Sequence, residues 1–189
     1  MFIQTEATPN PATLKFLPGR EVMGPAPAED FPDRQSASRS PLATELFAVA
    51  DVSGVFFGSD FIAVTKSSGE WQHLKPAVLG AIMDHFTRGD ALFDGSVLAE
   101  ASGSDAELAD EEDEVVAQIV EIIDTRVRPA VAQDGGDIVF NRFDAASGTV
   151  YLQMRGACAG CPSSEMTLKS GIENLLRHYV PEVSSVEAA

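Results

Sequence analysis

One acidic segment constrains the fold of this chain more than any other feature. Residues 96–114, "SVLAEASGSDAELADEEDE", contain eight acidic residues and no basic one, half of the net charge of −16 that the 189 residues carry. A small, polar, like-charged stretch should remain extended and solvated. We therefore predict a flexible acidic linker over residues 91–112. It divides the chain into domains of residues 1–90 and 113–189, each near the lower size limit for independent folding.

Both predicted domains mix strands and helices. In the first, "MFIQTEAT" and "ATLKFLPG" predict a hairpin, "MGPAPAEDFPDRQSAS" a loop, "PLATELFAVA" a helix, "VSGVFFG" and "DFIAVTKS" a second hairpin, and the stretch from Trp71 to "RGD" a helix.

In the second domain, a broad apolar face over residues 115–127 predicts a helix that Pro129 should end or kink. A "DGGD" turn, a hairpin from "IVFNRFD" and "TVYLQMR", a helix beginning at Pro162 and a last strand in "VSSVEA" follow. The fold class is thus α+β: two small domains, the second ordered α-β-β-α with a closing β, its helices packed on one sheet face.

Composition excludes several classes of protein. The 44% of hydrophobic residues excludes disorder of the whole chain, and no apolar run approaches the length of a membrane span. The negative net charge argues against nucleic acid as a partner. The N-terminus has neither a secretory nor a transit pattern. We therefore expect a reducing compartment: a bacterial-type cytoplasm, or the mitochondrial matrix if the chain is a processed form.

The two cysteines, Cys158 and Cys161, lie in "RGACAGCP", between a predicted strand end and a predicted helix start. Gly156 and Gly160 let the backbone approach a bound group closely. The free N–H groups and the dipole of the following helix should lower the pKa of a thiol there. This arrangement predicts a site for thiolate chemistry.

Three chemistries use thiolates in such a place. A thiol–disulfide oxidoreductase also carries CxxC at a helix start, but after the first strand of a βαβ unit, whereas this pair follows a predicted hairpin. A zinc site needs four ligands, and His73, His85 and His178 are poor candidates to supply them. An iron–sulfur cluster takes four cysteines, so two per chain predict a symmetric dimer with the cluster on its axis.

Other polar residues are weaker candidates. Asp134 and Asp137 of "DGGD" offer too few oxygen ligands for a calcium site, so a tight turn is favoured. Arg155 and Lys169 would offset the charge of a cluster or steer a partner, or simply lie in solvent. Since no nucleophile–base pair, phosphate loop or metal triad occurs elsewhere, the sequence gives no support to a conventional enzyme.

The C-terminal part resembles the NifU-like C-terminal domain, through "DGGDI" and "GACAGCPSSEMTLKSGIE". The N-terminal part is similar to the Nfu-type N-terminal domain, through "MFIQTEATPNPATLKFLPG" and "GVFFGSDFIAVTK". The resemblance implies an iron–sulfur cluster scaffold or carrier rather than an enzyme. Cys158 and Cys161 would bind a [4Fe-4S] cluster, or a [2Fe-2S] cluster, shared between two subunits. It also implies upstream cluster-assembly proteins as donors and apo iron–sulfur proteins as acceptors.

Overall fold

The computed structural model describes residues 2–93, 111–159 and 162–188, without the side chains of residues 111–113 and 162–165. The chain divides into two compact units, residues 1–104 and 105–189, and both contain helices and strands. This confirms the predicted α+β class with two domains. Residues 94–110 of the predicted linker lie outside the described residues, so the limits of the linker stay a prediction. None of the described helices is long and apolar enough to cross a membrane.

The first unit is built on an antiparallel five-stranded sheet. Its strands are β1 (Gln4–Ala7), β2 (Thr13–Leu17), β3 (Glu29–Phe31), β4 (Val52–Phe57) and β5 (Ile62–Lys66), in the order β1-β2-β5-β4-β3. The alternating residues of β2, β4 and β5 point apolar side chains to one face, where the core forms. Both predicted hairpins are present, as β1 with β2 and β4 with β5.

Among the residues described in this unit, three helices accompany the sheet: α1 (Arg34–Ala37), α2 (Pro41–Ala48) and α3 (Trp71–Arg88). Helix α2 begins after Ser40, whose Oγ accepts a hydrogen bond from the backbone N–H of Ala43 at 3.2 Å. Helix α3 ends at Gly89, which takes the left-handed conformation with φ 72°. Both long helices therefore lie where the sequence predicts them, and their apolar faces complete the core of the unit.

The predicted loop over "MGPAPAEDFPDRQSAS" is wrong in its second half, which contains β3 and α1. Phe31 is fully buried, and β3 pairs with the outer side of β4. Asp33 then caps α1 by accepting a hydrogen bond from the N–H of Ser36 at 2.7 Å. A three-residue edge strand between prolines is too short to show a sequence period, so only its pairing reveals it.

The second unit begins with one long helical stretch: α4 (Glu111–Ile122), a π turn (Ile123–Val127) and α5 (Arg128–Gln133). Of the two predicted effects of Pro129, an end of the helix is wrong, because the helical stretch continues to Gln133. A proline ring clashes with the carbonyl four residues earlier in an α-helix. Here the N–H of Arg128 donates to the carbonyl of Ile123, five residues back, and this wider turn precedes Pro129.

Three strands and one further helix complete the second unit. They are β6 (Gly136–Asp144), β7 (Thr149–Gly156), α6 (Pro162–Tyr179) and β8 (Ser185–Ala188). The sheet has the order β6-β7-β8, in which β6 and β7 form an antiparallel hairpin and β8 lies parallel to β7. The predicted α-β-β-α-β order is therefore confirmed. The apolar faces of the helices and the sheet meet in one core, which includes Ile119, Ile123, Ile138, Leu152, Leu176 and Val186.

Candidate functional site

Cys158 lies in the loop that joins the end of β7 to the start of α6. Gly156 turns the chain out of the strand with φ 63°, a conformation that suits glycine. Ala157 donates a backbone hydrogen bond to Gly135 at 3.2 Å, and Ala159 donates one to Gly156 at 3.1 Å. The loop is thereby held over the beginning of the β6–β7 hairpin. Cys161 lies outside the described residues, so the structure places one of the two predicted site residues.

The sulfur of Cys158 rests directly on Gly136. Gly136 and Gly156 are paired in the β6–β7 ladder, with no side chain on either strand at this point. A Cβ added at Gly136 would lie 2.5 Å from the Sγ of Cys158 and 2.8 Å from the carbonyl oxygen of Arg155. Sequence reasoning missed Gly136, although glycine inside a strand is a signal for close approach of another group.

Burial dominates the chemistry of Cys158. The residue is only 6% exposed and packs against the core of the second unit. Burial raises the pKa of its thiol to about 12, and the carboxylates of Asp134 and Asp137 act in the same direction. The expected lowering of the thiol pKa by the helix is therefore wrong for Cys158. By itself, this thiol stays protonated at neutral pH.

The "DGGD" segment is the tight turn that the sequence predicts. The N–H of Asp134 donates to Val131 at 3.0 Å, and the N–H of Gly135 donates to Ala132 at 3.1 Å, while Gly135 takes φ 81°. This turn leads α5 into β6 and places Gly136 under the cysteine loop. Over the described residues, no group of three histidine, cysteine or acidic side chains could hold a metal ion.

An ion pair next to Gly136 was also missed from the sequence. Asp137 is 5% exposed, and its two oxygens accept hydrogen bonds from the Nε and Nη2 atoms of Arg128 at 2.8 and 3.0 Å. Arg128 also binds Asp124 through Nη1 at 3.1 Å. Hydrogen bonds to Asp137 raise the pKa of the Arg128 guanidinium further. The pair joins the helical stretch to the strand that supports Cys158.

Comparison with known proteins agrees with both halves of this architecture. Residues 3–89 match the family described as "Scaffold protein Nfu/NifU N terminal", and residues 119–187 match the "NifU-like domain". The chain belongs to the Nfu/NifU family. The match to the NifU-like domain includes β6, β7 and α6, which surround the cysteine loop. This confirms the resemblance drawn from the two sets of motifs.

Individual relatives of the Nfu/NifU family are similar along nearly the whole chain. "NifU-like protein 4, mitochondrial" of Arabidopsis thaliana is 52% identical over 99% of this chain and 65% of its own length. "NFU1 iron-sulfur cluster scaffold homolog, mitochondrial" of Drosophila sechellia is 50% identical over 99% of this chain and 64% of its own length. "NifU-like protein 5, mitochondrial" of Arabidopsis thaliana is 50% identical over 99% of this chain and 67% of its own length. The chain thus spans about two thirds of the length of these relatives.

Two weaker candidates of this Nfu/NifU chain, Arg155 and Lys169, have side-chain partners of their own. Arg155 hydrogen-bonds Gln153 at 3.2 Å, and Lys169 pairs with Glu187 at 3.4 Å on the surface. Both thus take partners at the surface. The histidines that the sequence analysis judged poor ligands are two residues of the first unit, His73 and His85, and the exposed His178 of α6.

His85 is the unusual histidine. It is fully buried in the first unit, and neither ring nitrogen has a hydrogen-bond partner among the described residues. Burial lowers the pKa of its imidazole. The side chain is therefore held neutral.

One topological argument against a thiol–disulfide oxidoreductase is wrong. Because β8 lies parallel to β7 with α6 between them, the cysteine loop follows the first strand of a βαβ unit as well as a hairpin. Burial is the better argument. Thiol–disulfide exchange needs an accessible thiolate, and Cys158 is buried with a raised thiol pKa.

Proposed function

We propose that this chain is an iron–sulfur cluster scaffold and carrier, and not an enzyme. The observation that carries the proposal is a two-cysteine loop inside a NifU-like domain, in a chain that aligns over 99% of its length with a relative named as an iron–sulfur cluster scaffold. Cys158 and Cys161 supply the ligands. The cluster is cargo that two copies of the chain hold and then release to an apo iron–sulfur protein.

The described part of the site fits a thiolate-bound cluster. The Gly136–Gly156 pair leaves the backbone on one side of Cys158 free of side chains, so that loop and hairpin approach closely. Iron binds the deprotonated sulfur and takes the place of the proton that burial otherwise retains. Cys158 itself is a soft sulfur donor of the type that these clusters use.

The ligand count supports a bridging arrangement. The sequence contains two cysteines, and a [4Fe-4S] or [2Fe-2S] cluster takes four. Two copies related by a two-fold axis provide four thiolates, two from each loop. We propose a [4Fe-4S] cluster held in this homodimer. A cluster held between loops of two separate subunits leaves when the subunits separate, which suits a carrier.

The compartment must hold other iron–sulfur assembly proteins and keep thiols reduced. A bacterial-type cytoplasm and the mitochondrial matrix both do so. The relatives are named as mitochondrial proteins, which supports the second of the two expected locations. We propose that the donors are upstream cluster-assembly proteins of the same compartment.

Anaerobic reconstitution with iron and sulfide tests the proposal. We expect a brown protein with one cluster per two chains, a [4Fe-4S] Mössbauer spectrum, and a change from monomer to dimer on loading. Cys158→Ser or Cys161→Ser should abolish stable loading, because each dimer then loses two ligands. Ala159→Ser is the matched control, since it adds a hydroxyl at an exposed position between the cysteines and keeps both thiols.

Two outcomes would contradict this function. A stable cluster on a monomer would refute the bridging site. A colourless protein that reduces disulfides through the same cysteines would support the thiol–disulfide alternative, for which the βαβ position of the loop is the one favourable observation.

Transfer is tested by mixing loaded protein with an apo [4Fe-4S] enzyme in the presence of a chelator that captures free iron. A carrier activates the acceptor despite the chelator, because the cluster passes directly between proteins. Deleting residues 1–95 should slow this transfer and leave cluster content unchanged, if the first domain holds the acceptor nearby. Equal transfer rates would refute that role, and no transfer would refute the carrier function.

A further inference from the structure

Asp137 occupies an unusual position for a buried carboxylate. It follows Gly136, the residue that contacts the sulfur of Cys158, and it is paired with Arg155 in the β6–β7 ladder. Its side chain is 7% exposed. A buried carboxylate is stable only when it is paired and hydrogen-bonded. Arg128 meets this need with two short hydrogen bonds, at 2.8 and 3.0 Å.

The charge of this pair matters because of what the proposed cargo adds. A cluster with four thiolate ligands is negatively charged, whichever of the two types it is. Asp134 and Asp137 already oppose negative charge at the Cys158 sulfur. Arg128 places a cation on Asp137 with the bidentate geometry that a guanidinium gives and an ammonium does not. Without Arg128, a bound cluster would face an uncompensated buried carboxylate.

The backbone explains how Arg128 reaches this carboxylate. Arg128 is the first residue after the π turn, and its N–H bonds to Ile123 in the wide-turn pattern. Asp124, one turn earlier, binds a second face of the guanidinium at 3.1 Å. The guanidinium is therefore held by two carboxylates, that of Asp124 on the helix and that of Asp137 on the strand. π turns are frequently found at functional sites.

We propose that Arg128 is a positioning residue for the iron–sulfur cluster: it neutralises Asp137 and so stabilises the cluster bound through Cys158. This inference rests on the proposed function and adds a residue that contributes no ligand. Arg128 acts through Asp137, which directly follows Gly136 in the sequence. Because the role is electrostatic, removing the positive charge and removing the negative charge should shift the reduction potential of the cluster in opposite directions. A merely structural role predicts no such opposition.

The test compares Arg128→Met, Asp137→Asn and the double variant, each in the full chain, after anaerobic reconstitution. Arg126→Met is the matched control. It removes the same charge two residues earlier, inside the π turn, where Arg126 is exposed and lies over the ring of Tyr179 at 4.9 Å. The measurements are the rate of cluster loss to a chelator, the midpoint reduction potential of the bound cluster and the thermal unfolding of the apo protein.

We expect Arg128→Met to lose the cluster about tenfold faster, a factor within the usual range of coupling between two sites. Its reduction potential should fall, because an uncompensated negative charge opposes the added electron. Asp137→Asn should raise the potential, since it removes that charge. The double variant should return close to wild type in both properties, and Arg126→Met should change neither.

Thermal unfolding of the apo protein identifies structural effects, because a destabilised variant unfolds at a lower temperature even without a cluster. Potentials that shift in the same direction in both single variants, or that do not shift, would overturn the inference while wild-type loading leaves the proposed function intact. A double variant that loses the cluster as fast as Arg128→Met would overturn it as well. A wild-type chain that takes up no cluster would refute the proposed function and this inference together.

Discussion

Gly136→Ala is the change that most directly tests how Cys158 is seated. The added methyl carbon would lie 2.5 Å from the Sγ of Cys158, 2.8 Å from the carbonyl oxygen of Arg155 and 3.1 Å from the backbone nitrogen of Cys158. Two of these three neighbours are backbone atoms in a paired hairpin and its loop, which do not move without breaking hydrogen bonds. The cysteine loop must therefore shift away from the strand.

The cost follows from the contact distances. Forcing one methyl group into a filled site destabilises a protein by about 1–3 kcal/mol. Gly136 does not have a positive φ, so no backbone strain adds to this value. The loop shift should also move Cys158, so cluster occupancy after reconstitution should fall together with stability.

Amide hydrogen exchange of the β6–β7 hairpin measures this cost within the full chain, because it reports each unit separately. The slowest amides should exchange faster, by a factor of about 5–30 for a loss of one to two kcal/mol. Gly171→Ala is the matched control. It adds the same methyl group in α6, where nothing lies within 4 Å. Helix propensity there predicts a gain of about 0.5–1 kcal/mol.

An unchanged exchange rate in Gly136→Ala, with full cluster occupancy, would refute the close contact between strand and sulfur. Equal destabilisation by Gly171→Ala would show that the method reports any added methyl group and not this contact. Loss of occupancy without loss of stability would show that the methyl group displaces the cysteine alone and leaves the hairpin intact.

Two further predictions concern the first unit and use the fluorescence of Trp71, the single tryptophan of the chain. The stability that neutral His85 gives is complete above its unfolded pKa of 6.5, and it should be lost as pH falls, since burial lowers the folded pKa. Unfolding midpoints should thus drop between pH 7.5 and 5.5, and His85→Phe should remove that drop; an identical drop in the variant would contradict it. Ser40→Ala should cost about 1 kcal/mol, because the N–H of Ala43 loses its cap; unchanged stability at pH 7.5 would show that the cap is replaced.

Much of the fold is predictable because it depends on local signals. Strand alternation and turn glycines identify both hairpins, and Pro162 marks the first residue of α6. The edge strand β3 is not predictable in this way. Its three residues gain their structure from pairing with β4, which is distant in sequence. The π turn is equally hidden, since Pro129 predicts that the helix ends or kinks, whereas the helical stretch continues to Gln133 through a wider turn before the proline.

In the candidate site, too, local sequence signals are predictable and contacts between distant residues are not. Cys158 and Cys161 could be proposed as cluster ligands from the sequence because cluster chemistry depends on the identity and spacing of the ligands. The burial of Cys158 is not predictable, because the loop is drawn inward by backbone bonds to Gly135 and by contact with Gly136, both on another strand or turn. A helix dipole deduced from sequence predicts a lowered thiol pKa, but the burial seen in the structure outweighs it.

The Arg128–Asp137 pair shows why such a partner escapes a sequence pattern. Its members are nine residues apart, one at a helix junction and one in a strand, and the turn between them decides whether they meet. Gly135, with φ 81°, is the residue that makes this turn. Any other residue at position 135 would strain this turn, because a φ of 81° favours glycine. The "DGGD" turn thus positions both the glycine that contacts the Cys158 sulfur and the aspartate that pairs with Arg128.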